Sequence, residues 1–323
     1  MRRAMMTAMD CERLGPASLA SDAGTDLQVY FPAKGRVNVP KVASARRPQT
    51  KPKLGQHFLA SEDTALRIVD VMGDLSESTV LEIGPGRGIL TSLLAKRARR
   101  LIAVELDRVL AAQLRLKFGM ARNVEVIEGD VLAMDFDSIF GPKPGLGRPG
   151  IELKPEPVKA VGNLPYYITS DILLRLFEFS KYFESLVIMV QREVADRIAA
   201  EPGGGDYGVL SATAQLFARV ENLFTLPPAA FTPPPKVHSS VLRLTIEPRQ
   251  EELGVAGDGF IDFLRLSFGQ KRKTLWNNLK SKYEDEHLKR ALSVAHVKST
   301  ARAETLSLEE SAAVYRALRN PQV

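Results

Sequence analysis

Residues 79–90 read TVLEIGPGRGIL, a sequence that predicts a buried β-strand at 79–83, a glycine-rich turn and the start of a helix. The strand is a continuous apolar run, as expected when helices cover both faces of a mostly parallel sheet. Gly84, Gly86 and Gly88 let the backbone turn tightly and let a ligand approach without meeting a Cβ atom. The spacing is GxGxG, not the GxGxxG of the dinucleotide fingerprint. The segment therefore predicts a ligand-binding turn between a strand and a helix.

The same alternation of strands and helices continues on both sides of this segment. Residues 236–246 alternate in polarity and predict an antiparallel edge strand, and Ser61 is predicted to cap a helix. Further apolar runs predict strands at 101–105, 124–128, 158–162 and 185–190. Past residue 256 only helical spacing remains, near 258–268, 271–281, 284–293 and 307–319.

These patterns predict a doubly wound, Rossmann-like α/β fold followed by a small all-helical domain. We place a flexible N-terminal extension at residues 1–50, because this stretch shows no sustained periodicity. The α/β domain is predicted at 51–250 and the C-terminal helical domain at 251–323.

The composition excludes several classes of protein. With 45% hydrophobic and 25% charged residues in a chain of 323, the protein is expected to be globular. No uncharged apolar run reaches the roughly 18 residues that cross a bilayer. One cysteine excludes an internal disulfide framework and a cysteine-built zinc site, and the four histidines show no ligand spacing. We expect a cytoplasmic protein without a metal.

The formal net charge of +6 is unevenly distributed. Residues 1–53 hold 10 Lys and Arg against 4 Asp and Glu, whereas residues 54–323 hold 34 of each. Within this neutral body, residues 265–282 carry six positive charges and no negative one. This pattern fits either a polyanionic partner or a solvated helix face.

Acidic residues follow the second and third predicted strands, at the edge where doubly wound folds bind ligands. Glu105 comes 21 residues after Gly84, a spacing at which a carboxylate can accept hydrogen bonds from ribose hydroxyls. Asp130 ends the third strand, where an adenine amine would lie. Such a site fits a nicotinamide cofactor or S-adenosylmethionine, although an acid at a strand end is often only a helix cap. Together, the three strand ends favour an adenosyl cofactor.

The fourth strand ends in Asn163-Leu164-Pro165-Tyr166. An adenine amino group is a poor nucleophile because its lone pair is delocalised into the ring. An amide oxygen and a backbone carbonyl could accept its two N–H bonds and orient the nitrogen toward a methyl sulfonium. Pro165 would restrict Leu164 and aim its carbonyl, and Tyr166 offers a face for a flipped base. The alternative is a loop with a buried tyrosine.

These motifs, with others in the same order, resemble the ribosomal RNA adenine N6 dimethyltransferase family, in its bacterial small-subunit branch. The matching segments are 54–59 (LGQHFL), 82–88 (EIGPGRG), 105–107 (ELD), 129–131 (GDV), 163–166 (NLPY), 231–237 (FTPPPKV) with Ser239, and 268–275 (FGQKRKTL). The resemblance covers residues 51 to about 320.

The resemblance implies S-adenosylmethionine as methyl donor and two adjacent adenosines in the 3′-terminal hairpin of small-subunit rRNA as targets. The substrate would be an immature subunit, and the enzyme a monomer. His57 stands where the family often has asparagine. By position, the cofactor-binding residues would be His57, Leu59, Gly84, Gly86, Glu105, Asp130 and Asn163. The target base would be held by Asn163, Leu164, Pro165 and Tyr166, with Phe231 stacked against it.

Within this resemblance, the basic segment 268–282 is interpreted as a helix facing rRNA phosphates. Lys271, Arg272 and Lys273 would position the RNA without reading its sequence. Trp276 is interpreted as a core residue in preference to an RNA-stacking one. Alternative functions are a large-subunit rRNA methyltransferase of the antibiotic-resistance type and a non-catalytic assembly or transcription factor. A nicotinamide dehydrogenase is disfavoured by the glycine spacing.

Overall fold

The computed structural model describes residues 57–141, 158–165, 167–255 and 259–320. The predicted extension at 1–50, nearly all of the Gly/Pro-rich segment 141–157 and Tyr166 lie outside the described residues. The strands are β1 (Phe58–Leu59), β2 (Thr79–Ile83), β3 (Arg100–Glu105), β4 (Val124–Glu128), β5 (Val158–Asn163), β6 (Phe183–Gln191), β7 (Ala218–Leu226), β8 (Phe231–Thr232) and β9 (Ser239–Ile246).

The helices pack around these strands and in the C-terminal part of the chain. They are α1 (Glu62–Asp70), α2 (Ile89–Arg97), α3 (Arg108–Phe118), α4 (Phe136–Phe140), α5 (Thr169–Glu178), α6 (Arg192–Ile198), α7 (Val209–Phe217), α8 (Gly259–Ser267), α9 (Leu275–Leu279), α10 (Asp285–Val294) and α11 (Leu308–Arg319). The predicted cap at Ser61 is confirmed, since its hydroxyl accepts a hydrogen bond from the Thr64 amide at 3.2 Å. None of these described helices is long and apolar enough to cross a membrane.

Seven strands form the central sheet in the order β4-β3-β2-β5-β6-β9-β7. The five strands from β4 to β6 are parallel, and β9 runs antiparallel to both of its neighbours. The first strand in the chain to join this sheet is thus central, and the order reverses beside it, as in doubly wound folds. The predicted Rossmann-like α/β architecture is confirmed.

One predicted strand position is wrong. The segment 236–246 contains β9, which is antiparallel as predicted but lies inside the sheet between β6 and β7. The edge strand beside it is β7, which the apolar-run pattern missed because it carries Arg219, Glu221 and Asn222. These polar side chains suit a strand with one neighbour and solvent on its other side.

The parallel strands bury side chains on both faces of the sheet. Along β2, Leu81 and Ile83 enter the hydrophobic core beneath α4, α5 and α7, while Val80 enters the core beneath α1 and α2. Successive residues of a strand point to opposite faces, so a fully buried strand needs apolar residues at nearly every position. This requirement explains the unbroken apolar runs in the sequence.

The C-terminal helices extend the first of these two cores. Phe260 and Phe263 of α8 pack with Tyr315 of α11, with ring centroids 5.2 and 5.5 Å apart from the tyrosine, within the cluster that also holds Phe217 of α7. The described part of this region contains helices and no strand, as predicted. The domain boundary near residue 250 stays a prediction.

The predicted basic helix over 271–281 is shorter than expected. Residues 268–274 form turns, and α9 begins only at Leu275. Thr274 is its N-cap and accepts a hydrogen bond from the Asn277 amide at 3.3 Å, which satisfies an N–H that a longer helix would have bonded internally. Lys271, Arg272 and Lys273 therefore lie in an exposed turn before the helix. Trp276 is partly buried against the core, in agreement with its interpretation as a packing residue.

Candidate active site

A cleft of about 930 Å³, open to solvent, lies at the carboxyl ends of β2, β3, β4 and β5. Topology alone predicts this place, because ligands of doubly wound folds bind where the strand order reverses. The described residues that line it are His57, Phe58, Ile83, Gly84, Gly86, Val104, Glu105, Leu106, Gly129, Asp130, Val131, Asn163, Leu164, Pro165, Tyr167, Ile168 and Ile172. The structure thus brings together most of the predicted cofactor and base residues.

The glycine turn after β2 forms one wall of the cleft. Gly84 and Gly86 have φ angles of 66° and 58°, in the left-handed region that favours glycine. A Cβ atom at Gly86 would lie 2.7 Å from Cδ1 of Phe58, so a side chain there would also displace the ring. The turn is therefore exposed at Gly84, on the cleft side, and closed by the Phe58 ring at Gly86.

The carboxylate of Glu105 holds this turn in place. Its Oε2 accepts a hydrogen bond from the Gly86 amide and its Oε1 accepts one from the Asp107 amide, both at 2.9 Å. The side chain is 4% exposed and lines the cleft at the end of β3. Each carboxylate oxygen has a further lone pair, so the predicted hydrogen bonds to ribose hydroxyls are compatible with these two.

Asp130 lies beside the cleft at the end of β4, as predicted. Its Oδ1 accepts a hydrogen bond from the Leu132 amide at 3.0 Å and caps a short 3₁₀ helix, Val131–Ala133. The residue is thus a helix cap and also a lining residue. The cap bond fixes the carboxylate against the cleft with its other oxygen still able to accept from an adenine amine.

The amide of Asn163 is oriented by His57, the residue that precedes β1. Its Nδ2 donates to the backbone carbonyl of His57 at 2.8 Å, and a carbonyl can only accept, so Oδ1 is the end left for a ligand. Nδ1 of His57 in turn donates to the carbonyl of Pro233 at 2.7 Å. Three distant parts of the chain therefore meet at this wall of the cleft.

The backbone after Asn163 is held in a defined turn. The Leu164 amide donates to the Met189 carbonyl at 3.0 Å, and the Pro165 carbonyl accepts from the Thr169 hydroxyl at 3.0 Å. Leu164 is 1% exposed, whereas Tyr167 is 68% exposed at the mouth of the cleft. Tyr166, the predicted stacking residue, lies outside the described residues.

Two of the residues predicted to contact the cofactor or the target base do not line the cleft. Leu59 and Phe231 pair across β1 and β8 and are buried in the core beneath α1 and α2, at 8% and 2% exposure. A base could stack on Phe231 only after a change that uncovers its ring. Their contacts with cofactor and base stay predictions, and in this structure the two residues pair across the short sheet that follows His57.

A buried carboxyl group lies behind the glycine turn. Glu82 is 1% exposed on β2, and its Oε2 has no hydrogen-bond partner among the described residues. Burial raises the pKa of this carboxyl to about 8, and the adjacent Thr91 partly offsets the effect. The group is therefore neutral near pH 7.

Sequence reasoning missed several lining residues that carry no polar group. Phe58, Leu106, Ile168 and Ile172 contribute apolar surface to the cleft. Phe58 directly follows His57, and Leu106 directly follows Glu105. Their positions next to predicted site residues could therefore have identified them as lining residues. Among the described residues, no group of three or more His, Cys, Asp or Glu side chains could hold a metal ion.

A doubly wound sheet, a glycine turn and acidic residues at successive strand ends define a site of the class that binds adenosyl cofactors, and comparisons with known proteins identify the enzyme class. The family model for ribosomal RNA adenine dimethylases matches residues 47–320. The chain belongs to the ribosomal RNA adenine dimethylase family.

Relatives within the family narrow the activity. The chain is 55% identical to the Ribosomal RNA small subunit methyltransferase A of Koribacter versatilis, over 87% of this chain and 99% of that one. It is 52% identical to the protein of the same name from Acidobacterium capsulatum, over 90% and 97% of the two chains. Among solved structures, the 23S rRNA methyltransferase ErmE is 28% identical, with a TM-score of 0.57 over 81% of this chain and 100% of that one.

These findings confirm the predicted enzyme class, methyl donor and branch of the family. The protein is an rRNA adenine dimethyltransferase of the small-subunit type that uses S-adenosylmethionine. The large-subunit alternative is not favoured, since the relatives at 52–55% identity are small-subunit enzymes and ErmE is more distant.

Proposed function

We propose that this protein dimethylates N6 of two adjacent adenosines in the 3′-terminal hairpin of small-subunit rRNA, acting as a monomer on an immature subunit in the cytoplasm. The single observation that carries the assignment of the site is the fixed amide of Asn163. Its oxygen is the acceptor end at a cleft whose other walls suit an adenosyl ligand.

The residues present fit S-adenosylmethionine. Glu105 would take the ribose hydroxyls, Asp130 the adenine amine, and the backbone at Gly84 and Gly86, which lines the cleft, would pack against the ligand, close to His57. A Cβ at Gly86 would collide with the Phe58 ring, so glycine at this position lets Phe58 pack against the turn and form part of the cleft wall. When bound, S-adenosylmethionine supplies a methyl group on a positively charged sulfur.

The role of Asn163 is to orient the target nitrogen. Its Oδ1 would accept one N–H of the adenine amine, and the Leu164 carbonyl would accept the other. Two acceptors on these hydrogens favour a tetrahedral nitrogen with its lone pair aimed at the methyl group. The His57 carbonyl prevents the Asn163 amide from flipping, because a flipped amide would place two acceptors together.

Pro165 and Tyr166 would help to fix the orientation of the extruded base. Pro165 fixes its own φ angle and restricts Leu164, and its carbonyl is tied to the first turn of α5 by the Thr169 hydroxyl. Tyr166 would stack on the base, a contact worth about 1–3 kcal/mol. The same site must also accept an amine that already carries one methyl group, since dimethylation needs two rounds.

No general base is required for this chemistry. The amine nitrogen can release its proton to water after it has been methylated, so orientation and charge stabilisation suffice. Glu105 already accepts from the Gly86 and Asp107 amides, which suits a positioning role.

The proposed function is tested with purified protein, labelled S-adenosylmethionine and small subunits that lack the two modifications. We expect label in the 3′-terminal hairpin, and primer-extension stops at two adjacent adenosines, because dimethylated adenine blocks reverse transcription. Free small-subunit rRNA and mature unmethylated subunits are tested as comparison substrates beside the assembling particle. Preference for free rRNA over the assembling particle would contradict the proposed substrate.

A further inference from the structure

A second groove lies on the α3 side of the glycine turn. It has a volume of about 900 Å³ and is lined by Phe58, Gly86, Arg87, Leu110, Gln113, Leu114 and Lys117. Phe58 and Gly86 also line the cofactor cleft, so the two spaces share a wall. The lining combines two cations, one amide and an apolar floor, and it includes no carboxylate.

Arg87 is exposed at the tip of the glycine turn and stacks on an aromatic ring. Its guanidinium carbon lies 4.9 Å from the centre of the Phe58 ring. Phe58 cannot move toward the turn, because it already fills the space beside Gly86. A stacked guanidinium keeps its N–H donors at its rim, so Arg87 is held in place while its hydrogen-bonding capacity stays available.

Lys117 approaches the groove from the last turn of α3. Its Nζ lies 5.1 Å from the centre of the Phe118 ring. Neither Lys117 nor Arg87 forms an ion pair with a carboxylate of the described residues, whereas Arg97, Arg100 and Arg115 all do. The groove therefore contains two cations that form no ion pair with a carboxylate of the described residues.

We propose that this groove binds the sugar–phosphate backbone of the substrate RNA beside the cofactor cleft. This inference rests on the proposed function. Arg87 would contact a phosphate through its rim, Lys117 would contact a neighbouring phosphate, and the apolar floor of Leu110 and Leu114 would face the sugars. Phosphate contacts set the register of a nucleic acid on a protein, so this groove would help to place the target base over Asn163.

The test compares the wild-type protein with the double variant Arg87→Ala/Lys117→Ala. We expect its Kd for the rRNA to rise about tenfold at physiological salt, and the slope of log K against log salt to fall by about 1.5, because two phosphate contacts are lost. The loss is expected in KM for the RNA and not in kcat. Affinity for S-adenosylmethionine alone, measured by calorimetry, is expected to stay within twofold.

Two further variants sharpen the result. Arg87→Lys/Lys117→Arg keeps both charges and is expected to recover most of the RNA affinity and the salt slope. Lys96→Ala/Arg97→Ala removes two exposed cations from the end of α2, away from the groove, and is expected to leave both unchanged. Urea unfolding of each variant checks that the fold is intact.

The inference is overturned if the double variant binds RNA with the wild-type affinity and salt slope. It is also overturned if affinity for S-adenosylmethionine falls while RNA binding is unchanged, since the groove would then belong to the cofactor. Either result leaves the proposed function intact as long as the wild-type protein methylates the two adenosines. Failure of the wild-type protein to do so would instead refute the proposed function.

Discussion

The side-chain amide of Asn163 donates to the His57 carbonyl, which leaves one defined acceptor for a target amine. Asparagine performs this task better than aspartate, because the donor end of the amide is needed for His57 and the acceptor end for the substrate. Because both ends of the amide are oriented at once, we propose that this side chain at the end of β5 positions the target amine.

We predict that Asn163→Ala lowers the rate of methyl transfer by at least about 100-fold, the usual cost of removing one group that stabilises a transition state. Affinity for S-adenosylmethionine is expected to fall only modestly. Incorporation of labelled methyl groups and calorimetric binding measure the two quantities. Asn123→Ala is the matched control, because that amide also donates to backbone carbonyls, of Ala95 and Ala98, far from the cleft. Methyl transfer by Asn163→Ala at the wild-type rate would refute the role.

Glu82 makes the stability of the protein depend on pH. Burial raises the pKa of its carboxyl from 4.5 to about 8, so the folded state binds a proton that the unfolded state releases. The stabilising effect of this proton is fully present below pH 4.5 and is lost as the pH rises toward 8.

We predict that Glu82→Gln removes this dependence. Between about pH 4.5 and pH 8, the free energy of unfolding of the wild-type protein should fall relative to the variant by up to about 1.4 kcal/mol for each pH unit. Urea denaturation at several pH values measures the difference. Glu77→Gln, at an exposed position, is the control and should follow the wild-type curve. Parallel curves for wild type and Glu82→Gln would contradict the prediction.

At the scale of elements, the strands show what a local pattern can and cannot reveal. Thr79–Ile83 and Val124–Glu128 were predicted with their correct bounds, because strand ends here coincide with glycine turns or changes in polarity. The edge position of β7 was missed, since being an edge depends on which strands pair across the sheet. Local sequence does not encode that partnership, and the mixed polarity of β7 resembles a loop.

The candidate site divides in the same way. Glu105, Asp130 and Asn163 were predictable because each ends a strand at the binding edge of the sheet. The burial of Phe231 was not predictable, because it follows from the pairing of β1 with β8. The paired residues of these two strands are 172 to 174 positions apart in the sequence. The basic turn before α9 was mistaken for helix because Thr274 can act either as an interior residue or as a cap, and only the hydrogen bond to its hydroxyl decides.

The turn that carries Lys271, Arg272 and Lys273 yields a prediction at this scale. Replacement of all three by Ala should weaken binding of small-subunit rRNA at least tenfold and lower the salt slope by about two, because fewer counterions are released. Filter binding across a salt series measures both. The control replaces Lys96, Arg97 and Arg99, three exposed cations around the end of α2. An unchanged slope in the first variant would exclude the turn from the RNA surface.

At the scale of the whole molecule, the C-terminal helices share a hydrophobic core with the sheet. Phe177 of α5 and Phe217 of α7 stack with centroids 5.0 Å apart, and the cluster continues from them to α8 and α11. Elements that share a core lose their packing together, so the region after residue 250 and the α/β sheet are expected to unfold as one unit.

Trp276 allows this to be measured. It is the only tryptophan in the chain and lies partly buried in α9, so its fluorescence reports on the C-terminal helices, whereas far-UV circular dichroism reports on the whole protein. We predict that both signals change at the same urea concentration. Phe263→Ala should lower that midpoint for both signals, because the free energy of unfolding falls by about 3–5 kcal/mol. Two separate midpoints would instead support the predicted independent helical domain.

The link from His57 to Asn163 and Pro233 has a consequence for biosynthesis. The hydrogen bonds that fix the Asn163 amide join the first described residues to a segment 176 positions later. A nascent chain cannot complete this link until translation has passed Pro233 and the segment has left the exit tunnel. An enzyme that acts on ribosomal RNA therefore stays unable to hold its substrate while most of its own polypeptide is still being made.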